Sequence, residues 1–117
     1  MIELSKPFLP TKKLINKYFN SIWNSHRLTN NGPLLNELEQ NLKEYFKIKN
    51  LSIVSSGTMA LQVAIKSLGL TKKIITTPFS YVATSTSIIW QGCEPVFADI
   101  DPYTLNADPK KFEGLID

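Results

Sequence analysis

A run of small polar residues, Ser55 to Thr58, stands between two apolar segments of the chain. If a strand precedes it and a helix follows it, the run forms the turn into the helix. The first N–H groups of a helix have no internal partner and carry the positive end of its dipole, so they suit a phosphate. Gly57 would let the backbone approach such a ligand, and the hydroxyl of Ser56 or Thr58 could donate one more hydrogen bond.

A simple helix cap explains the same residues without any ligand. Serine and threonine are common at helix starts, with Ser55 or Ser56 as the capping residue here. The stretch also lacks the further glycines and the lysine of a nucleotide-binding P-loop. From position alone, the cap is therefore the better interpretation.

Tyr81 belongs to a second stretch of the same kind, "ITTPFSYVATS". A predicted strand leads through a turn into a helix that is predicted to begin near Ser80, which places Tyr81 beside the loop that contains Gly57. Its ring could lie flat against a planar ligand. From spacing alone, a tyrosine in the core is again the better interpretation.

Asp99 and Asp101 end a third predicted strand, in "PVFADIDPYTLNADP". These carboxylates could serve a metal or act as a base. The sequence "DPYT" is also typical of a turn that an aspartate caps, so we assign neither residue a catalytic role.

Alternating apolar runs and helical stretches define the elements that position these residues. The chain opens with two amphipathic helices, the first capped by Thr11 and the second starting at Pro33. Three predicted strands follow, "LSIV" at 51–54, "KIITT" and "VFADI", and helical stretches separate them, which favours βαβ units and a parallel sheet. The predicted class is α/β, with an amino-terminal helical segment, 1–49, and an incomplete βαβαβ unit, 50–117.

Composition and charge exclude several classes of protein. The 117 residues are 43% hydrophobic and 20% charged, near globular averages, which excludes disorder and fibrous repeats. A formal charge of +3 on scattered lysines argues against nucleic acid as a partner. Cys93 is the single cysteine, so no internal disulfide forms, and no apolar run is long enough for a membrane span. Because no secretion signal opens the chain, we expect it in the cytoplasm.

Four stretches, in this order, resemble the start of the PLP-dependent nucleotide-sugar aminotransferases, the DegT/DnrJ/StrS-type family with the type I aminotransferase fold. They are "IELSKPFLP", "RLTNNGPLLNELEQNLKEYFKI", "VSSGTMALQVAIKSLGL" and "ITTPFSYVATSTSIIWQGCEPVFADIDPYTLNADP". Within the family, "TNNGP" and "ITTPFSYVAT" are most similar to the branch that aminates dTDP-4-keto-6-deoxyhexoses at C4. The resemblance covers nearly the whole chain and implies the amino-terminal part of the PLP-binding large domain.

The resemblance implies roles for individual residues. Thr58 and Met59, which follow Gly57, match positions whose backbone N–H groups, together with the threonine hydroxyl, hold the PLP phosphate. Tyr81 matches the aromatic residue that stacks on the pyridine ring. Most members have a small residue in place of Met59, so no side-chain role is assigned there. Asn31 lies in a segment that resembles one near the active-site mouth and the dimer interface, and it is a candidate for substrate contact.

The resemblance also implies an activity for the whole enzyme. With pyridoxal 5'-phosphate (PLP) as cofactor, it would transfer an amino group from L-glutamate to a nucleotide-linked keto sugar for polysaccharide biosynthesis, as a homodimer. The family's cofactor-binding lysine and its ring-pairing aspartate lie well beyond position 117, so we assign no catalytic residue and no metal ligand. We expect the 117 residues alone to be inactive. We also expect 51–54 to find no strand partner, while "KIITT" and "VFADI" can pair.

Three alternatives stay open at this point. A PLP-dependent sugar dehydratase of the same family has a histidine in place of the lysine. A non-catalytic relative could keep the phosphate site as a binding module. A purely structural α/β domain would show no effect of PLP on its thermal stability.

Overall fold

In a computed structural model, which describes residues 5–116, the chain forms helices and a two-stranded parallel sheet, which confirms the α/β class. The helices are α1 (Lys12–Ser25), α2 (Pro33–Phe46), α3 (Gly57–Ser67), α4 (Ala83–Trp90) and α5 (Pro109–Glu113). The strands are β1 (Lys73–Thr76) and β2 (Glu94–Phe97). None of these described helices is long and apolar enough to cross a membrane. The chain divides into two compact units, Met1–Ile53 and Val54–Asp117.

The first unit contains the two predicted amphipathic helices, and local sequence explains where they begin. Thr11 caps α1, since its Oγ1 accepts a hydrogen bond from the Leu14 N–H at 3.4 Å. Pro33 occupies the first turn of α2, where its missing N–H has no intrahelical partner to lose. Both predicted starts are confirmed. The stretch "IELSKPFLP" lies partly outside the described residues.

The second unit is built around α4, which connects the two strands and packs against both of them and against α3. Strands β1 and β2 pair in parallel, with Lys73 opposite Glu94 at the start of the register. Parallel neighbours need such a crossover connection, and α4 supplies it. A small core lies where these elements meet. Its members are Ile65, Ile88 and Cys93, with the partly buried Ile74 packed against them.

Residues 51–54 form no strand, which corrects the prediction of a first strand at "LSIV". A strand requires a neighbour for its backbone groups, and among residues 5–116 the sheet consists of β1 and β2 alone. The βαβαβ unit is therefore present as α3, β1, α4 and β2, without its first strand. The expectation that "KIITT" and "VFADI" pair while 51–54 does not is confirmed.

Candidate functional site

Helix α3 begins at Gly57, directly after an extended Ser56 with φ −159° and ψ 162°. The Ser56 Oγ accepts a hydrogen bond from the Met59 N–H at 3.2 Å, and the Ser56 carbonyl accepts one from the Ala60 N–H at 3.0 Å. The helix cap expected from position is thus present. Within residues 5–116, the N–H groups of Gly57 and Thr58 have no acceptor.

The cap at Ser56 settles which of the two serines, Ser55 or Ser56, caps α3. The Ser56 Oγ accepts in this cap and keeps its own O–H as a donor, so Ser56 and Thr58 both carry a hydroxyl that can donate to a ligand. The signal for this cap is the spacing of three residues between Ser56 and Met59, which is the usual reach of a capping side chain.

The open donors at the start of α3 form a set suited to an anion. They lie at the positive end of an 11-residue helix whose first turn has no acidic side chain. Thr58 is half-buried, so its hydroxyl sits on an anchored residue beside its own N–H. A Cβ placed on Gly57 would meet no described heavy atom within 4 Å, so the backbone there is open to a ligand.

Met59 differs from its two neighbours because its N–H is already engaged. The donation to Ser56 Oγ means that this N–H reaches a phosphate only by sharing its hydrogen bond or by leaving the cap. Its side chain is exposed. The role of Met59 in holding a phosphate stays a prediction.

Tyr81 lies in the turn between β1 and α4, and its side chain is 80% exposed. This exposure rules out the core interpretation for the described residues and leaves the ring open to stacking. Helix α4 begins at Ala83 and not near Ser80, because local hydroxyl groups take part in the turn. The Ser80 and Thr84 hydroxyls are 2.9 Å apart, and the Tyr81 carbonyl accepts from the Thr84 N–H at 3.0 Å.

Asp101 forms the turn that its sequence indicates. Its Oδ1 accepts hydrogen bonds from the N–H groups of Thr104 at 2.7 Å and Tyr103 at 2.9 Å, and from the Thr104 hydroxyl at 3.1 Å. The bond from the Thr104 backbone, followed by that from Tyr103, holds the pKa of Asp101 below its usual value. Asp99 accepts from the Ile100 N–H at 2.8 Å. Residues 5–116 contain no group of three or more acidic, histidine or cysteine side chains that could hold a metal.

Asn31 belongs to the first unit, in the loop between α1 and α2. It has a positive φ of 55°, and its carbonyl accepts a hydrogen bond from Asn36 Nδ2 at 3.2 Å. A pocket of about 180 Å³ is lined by this loop and the adjoining ends of the two helices. Asn31 itself is exposed, and its contact with a substrate stays a prediction.

Solved structures define the class of protein to which this fold belongs. NtdA from Bacillus subtilis, solved with bound cofactor PMP, is 31% identical with a TM-score of 0.80, and the match covers 99% of this chain and 29% of that one. The E. coli GDP-4-keto-6-deoxy-D-mannose-3-dehydratase, solved with bound hydrated PLP, is 25% identical with a TM-score of 0.80, covering 94% of this chain and 30% of that one. The described elements therefore have the fold of part of a PLP-dependent enzyme of this type.

The sequence comparison gives the family. The profile of the DegT/DnrJ/EryC1/StrS aminotransferase family matches residues 10–117, and this chain belongs to that family. The dTDP-4-amino-4,6-dideoxy-D-glucose transaminase of Escherichia coli is 41% identical over 115 residues, which are 98% of this chain. The chain spans 31% of the length of that curated relative.

Proposed function

We propose that this chain supplies the phosphate-binding part of the PLP site of a sugar-nucleotide aminotransferase. The observation that carries the proposal is the start of α3, where the N–H groups of Gly57 and Thr58 are left open in a chain of this family. L-Glutamate is the proposed amino donor, and a nucleotide-linked keto-deoxy sugar is the proposed acceptor.

The described residues fit the phosphate of the cofactor. A phosphate ester is a compact dianion that accepts several hydrogen bonds, and a helix start offers such donors together with a favourable dipole. Gly57 and Thr58 provide two N–H groups, and Thr58 adds a hydroxyl. Apart from its chain neighbours and the backbone of α3, no described heavy atom lies within 4 Å of where a Cβ on Gly57 would be.

The cofactor, when bound, supplies the electron sink that amino-group transfer requires. The residues of this chain bind and orient it. In the proposal, Gly57 and Thr58 anchor the phosphate, and Tyr81 covers one face of the ring, which fixes the ring plane and excludes water from that face. Asn31 is proposed to contact the sugar nucleotide.

None of the lysines in this sequence matches the family's cofactor-binding lysine. We therefore propose no proton-transfer role for any described residue. The 117 residues by themselves are proposed to bind phosphate without turning over substrate.

The proposed acceptor is a dTDP-4-keto-6-deoxyhexose, aminated at C4. The similarity to the Escherichia coli transaminase, 41% over nearly the whole chain, supports this choice. We also propose that the whole enzyme is a homodimer and lies in the cytoplasm.

The test uses the natural full-length protein with PLP, ¹⁵N-labelled L-glutamate and dTDP-4-keto-6-deoxy-D-glucose. We expect ¹⁵N-labelled amino sugar and 2-oxoglutarate in equal amounts, both absent when PLP is left out. A PLP-loaded protein that forms neither product is not this transaminase.

A sugar dehydratase is the second candidate, because one similar solved structure is a dehydratase with bound hydrated PLP. The same reaction mixture separates the two activities. A dehydratase would yield a sugar product that has lost one water and carries no ¹⁵N, whereas a transaminase adds the label.

A further inference from the structure

Helix α1 leaves a stripe of large apolar side chains exposed along one side. Ile15, Phe19 and Trp23 follow one another at intervals of four residues, which places them on the same face of the helix. Their exposed fractions are 46%, 57% and 69%, and the rings of Phe19 and Trp23 stack with centroids 6.0 Å apart. Just before the helix, Phe8 and Leu9 are also exposed. Exposed apolar side chains that are grouped in this way are typical of a binding surface.

The segment around α1 also carries a positive charge that no carboxylate compensates. Lysines occur along the whole chain, but residues 5–36 contain five cations and no aspartate or glutamate, a formal charge of +5. Residues 37–117 contain eight cations and nine carboxylates, a formal charge of −1. The five cations of the first segment are Lys6, Lys12, Lys13, Lys17 and Arg27.

The lysines and the apolar stripe give α1 two different sides. Lys13 and Lys17 are four residues apart and lie on the side opposite Phe19. The Lys17 Nζ is 5.8 Å from the centroid of the Tyr18 ring, so its stem lies along the helix surface. A helix with aromatic residues on one side and lysines on the other is suited to lie in the plane of a membrane surface.

We propose that α1 is a docking surface for a membrane of anionic lipids. Ile15, Phe19 and Trp23 enter the boundary between headgroups and acyl chains, and the cations of residues 5–36 face the lipid phosphates. A lipid surface fits both sides of α1, because it offers a broad apolar layer beneath a layer of negative charge. Lying on a membrane needs no membrane-spanning helix. The inference goes beyond the proposed function and does not depend on it.

A second copy of this chain is a less suitable occupant of the stripe. A symmetric pair places the same surface of each copy against the other. It would therefore bring together two segments that each carry a charge of +5, and juxtaposed like charges oppose association.

The second unit offers a matched control for each side of the proposed surface. Lys110 and Lys111 are adjacent lysines in the first turn of α5, as Lys12 and Lys13 are in α1. Trp90 is 74% exposed and is the second tryptophan of the sequence. Each control changes the same side chains and the same net charge as the test variant, at a place outside α1.

The experiment floats the natural full-length protein with vesicles of phosphatidylcholine alone or of equal parts phosphatidylcholine and phosphatidylglycerol. We expect binding to the anionic vesicles only, and weaker binding as the salt concentration rises. Lys12→Gln with Lys13→Gln should weaken it roughly thirtyfold, about fivefold for each cation. Trp23→Ala should weaken it roughly tenfold to a hundredfold. The double Lys110→Gln, Lys111→Gln variant and Trp90→Ala should bind like the wild type.

Three results would overturn the inference. They are a folded wild-type protein that binds neither kind of vesicle, equal binding to both kinds, and equal losses in the test and control variants. If the wild type binds no vesicle and Trp23→Ala lowers the melting temperature, other residues of the full-length chain cover the stripe. If Trp23→Ala instead halves the molar mass in light scattering, the stripe lies between two copies. A transaminase that binds no vesicle contradicts this inference alone, and a vesicle-binding protein without transaminase activity contradicts the proposed function alone.

Discussion

Helices α1 and α3 begin with the same kind of cap and differ in the residues directly after it. In α1, Thr11 Oγ1 accepts from Leu14 N–H at 3.4 Å, and in α3, Ser56 Oγ accepts from Met59 N–H at 3.2 Å. In both helices the cap takes the third N–H and leaves the first two without an acceptor among the described residues. Open donors at a helix start are therefore general, and they do not by themselves identify a ligand site.

The residues that carry the open donors separate the two helix starts. In α1 they are Lys12 and Lys13, whereas in α3 they are Gly57 and Thr58. Helix α3 also contributes Ile65 to the core, while no described residue of α1 is buried. A bare Cα, a hydroxyl and a helix anchored in a core are the reasons for proposing the ligand site at the start of α3, because a binding group must be held in place.

Among the variants considered, the largest loss of PLP affinity is expected at Thr58. Thr58→Val keeps the branched shape and removes the hydroxyl, so a hydrogen bond worth about 1.5–3 kcal/mol to a charged group is lost. PLP titration of the full-length variant should show binding weakened about tenfold to a hundredfold. Thr58→Ser retains the hydroxyl and should stay near the wild type. Equal affinities in the valine and wild-type proteins would remove Thr58 from the site.

A smaller effect on PLP affinity is expected at Tyr81, which precedes the start of another helix, α4. Tyr81→Leu removes a ring contact worth about 0.5–1.5 kcal/mol, so PLP affinity should fall roughly twofold to tenfold. Tyr81→Phe retains the ring and should bind normally. Tyr103 is 93% exposed and lies outside the proposed site, which makes Tyr103→Leu the matched control. If both leucine variants lose affinity equally, stacking by Tyr81 is not the cause.

Removing the caps of α1 and α3 tests whether a capping hydroxyl contributes to PLP binding. Thr11→Ala and Ser56→Ala each remove one capping hydroxyl, which costs about 1 kcal/mol of local helix stability. Amide hydrogen exchange should accelerate about fivefold at Met59 in Ser56→Ala and less at Leu14 in Thr11→Ala, because the Leu14 N–H also donates to the Thr11 carbonyl at 3.0 Å. PLP affinity should change in neither. A Ser56→Ala protein with much weaker PLP binding would show that the cap and the ligand site are not separate.

The smallest effect concerns the pH dependence of the Asp101 turn. The N–H groups of Tyr103 and Thr104 already donate to the Asp101 carboxylate there. Hydrogen bonds to the carboxylate lower the pKa of Asp101, so the turn is stabilised above the unfolded-state pKa and loses this support as the pH falls through the lowered folded value. Amide resonances of Tyr103 and Thr104 should report this loss in an acid titration. In Asp101→Asn the titration should vanish at both amides. If it persists in the variant, another group is responsible.

Local signals allowed most of the elements to be predicted from the sequence. Thr11 and Pro33 marked helix starts because capping and the absent N–H of proline act within one turn. The apolar runs at β1 and β2 also paired as expected. The run at 51–54 did not form a strand, because an apolar pattern indicates an extended segment without specifying which strand lies beside it.

The sequence predicted which residues lie at the candidate site, but it did not predict the capping residue or the exposure of Tyr81. The order of residues placed Gly57 and Thr58 at a helix start, but it left open whether Ser55 or Ser56 caps that helix. Spacing also favoured a buried Tyr81, which is wrong for the described residues, because burial depends on what packs against a turn and not on the turn itself. The starts of α1 and α3 differ in packing and in side-chain size. The sequence shows the side-chain size but not the packing.

The most direct test uses the backbone N–H groups themselves in the natural full-length protein. PLP is added to the apoprotein, and amide chemical shifts are recorded at the starts of α3 and α1. We expect large shifts at Gly57 and Thr58 and none at Lys12 and Lys13. Unchanged shifts at Gly57 and Thr58 in a protein that has bound PLP, or equal shifts at both helix starts, would contradict the assignment of the phosphate site to α3.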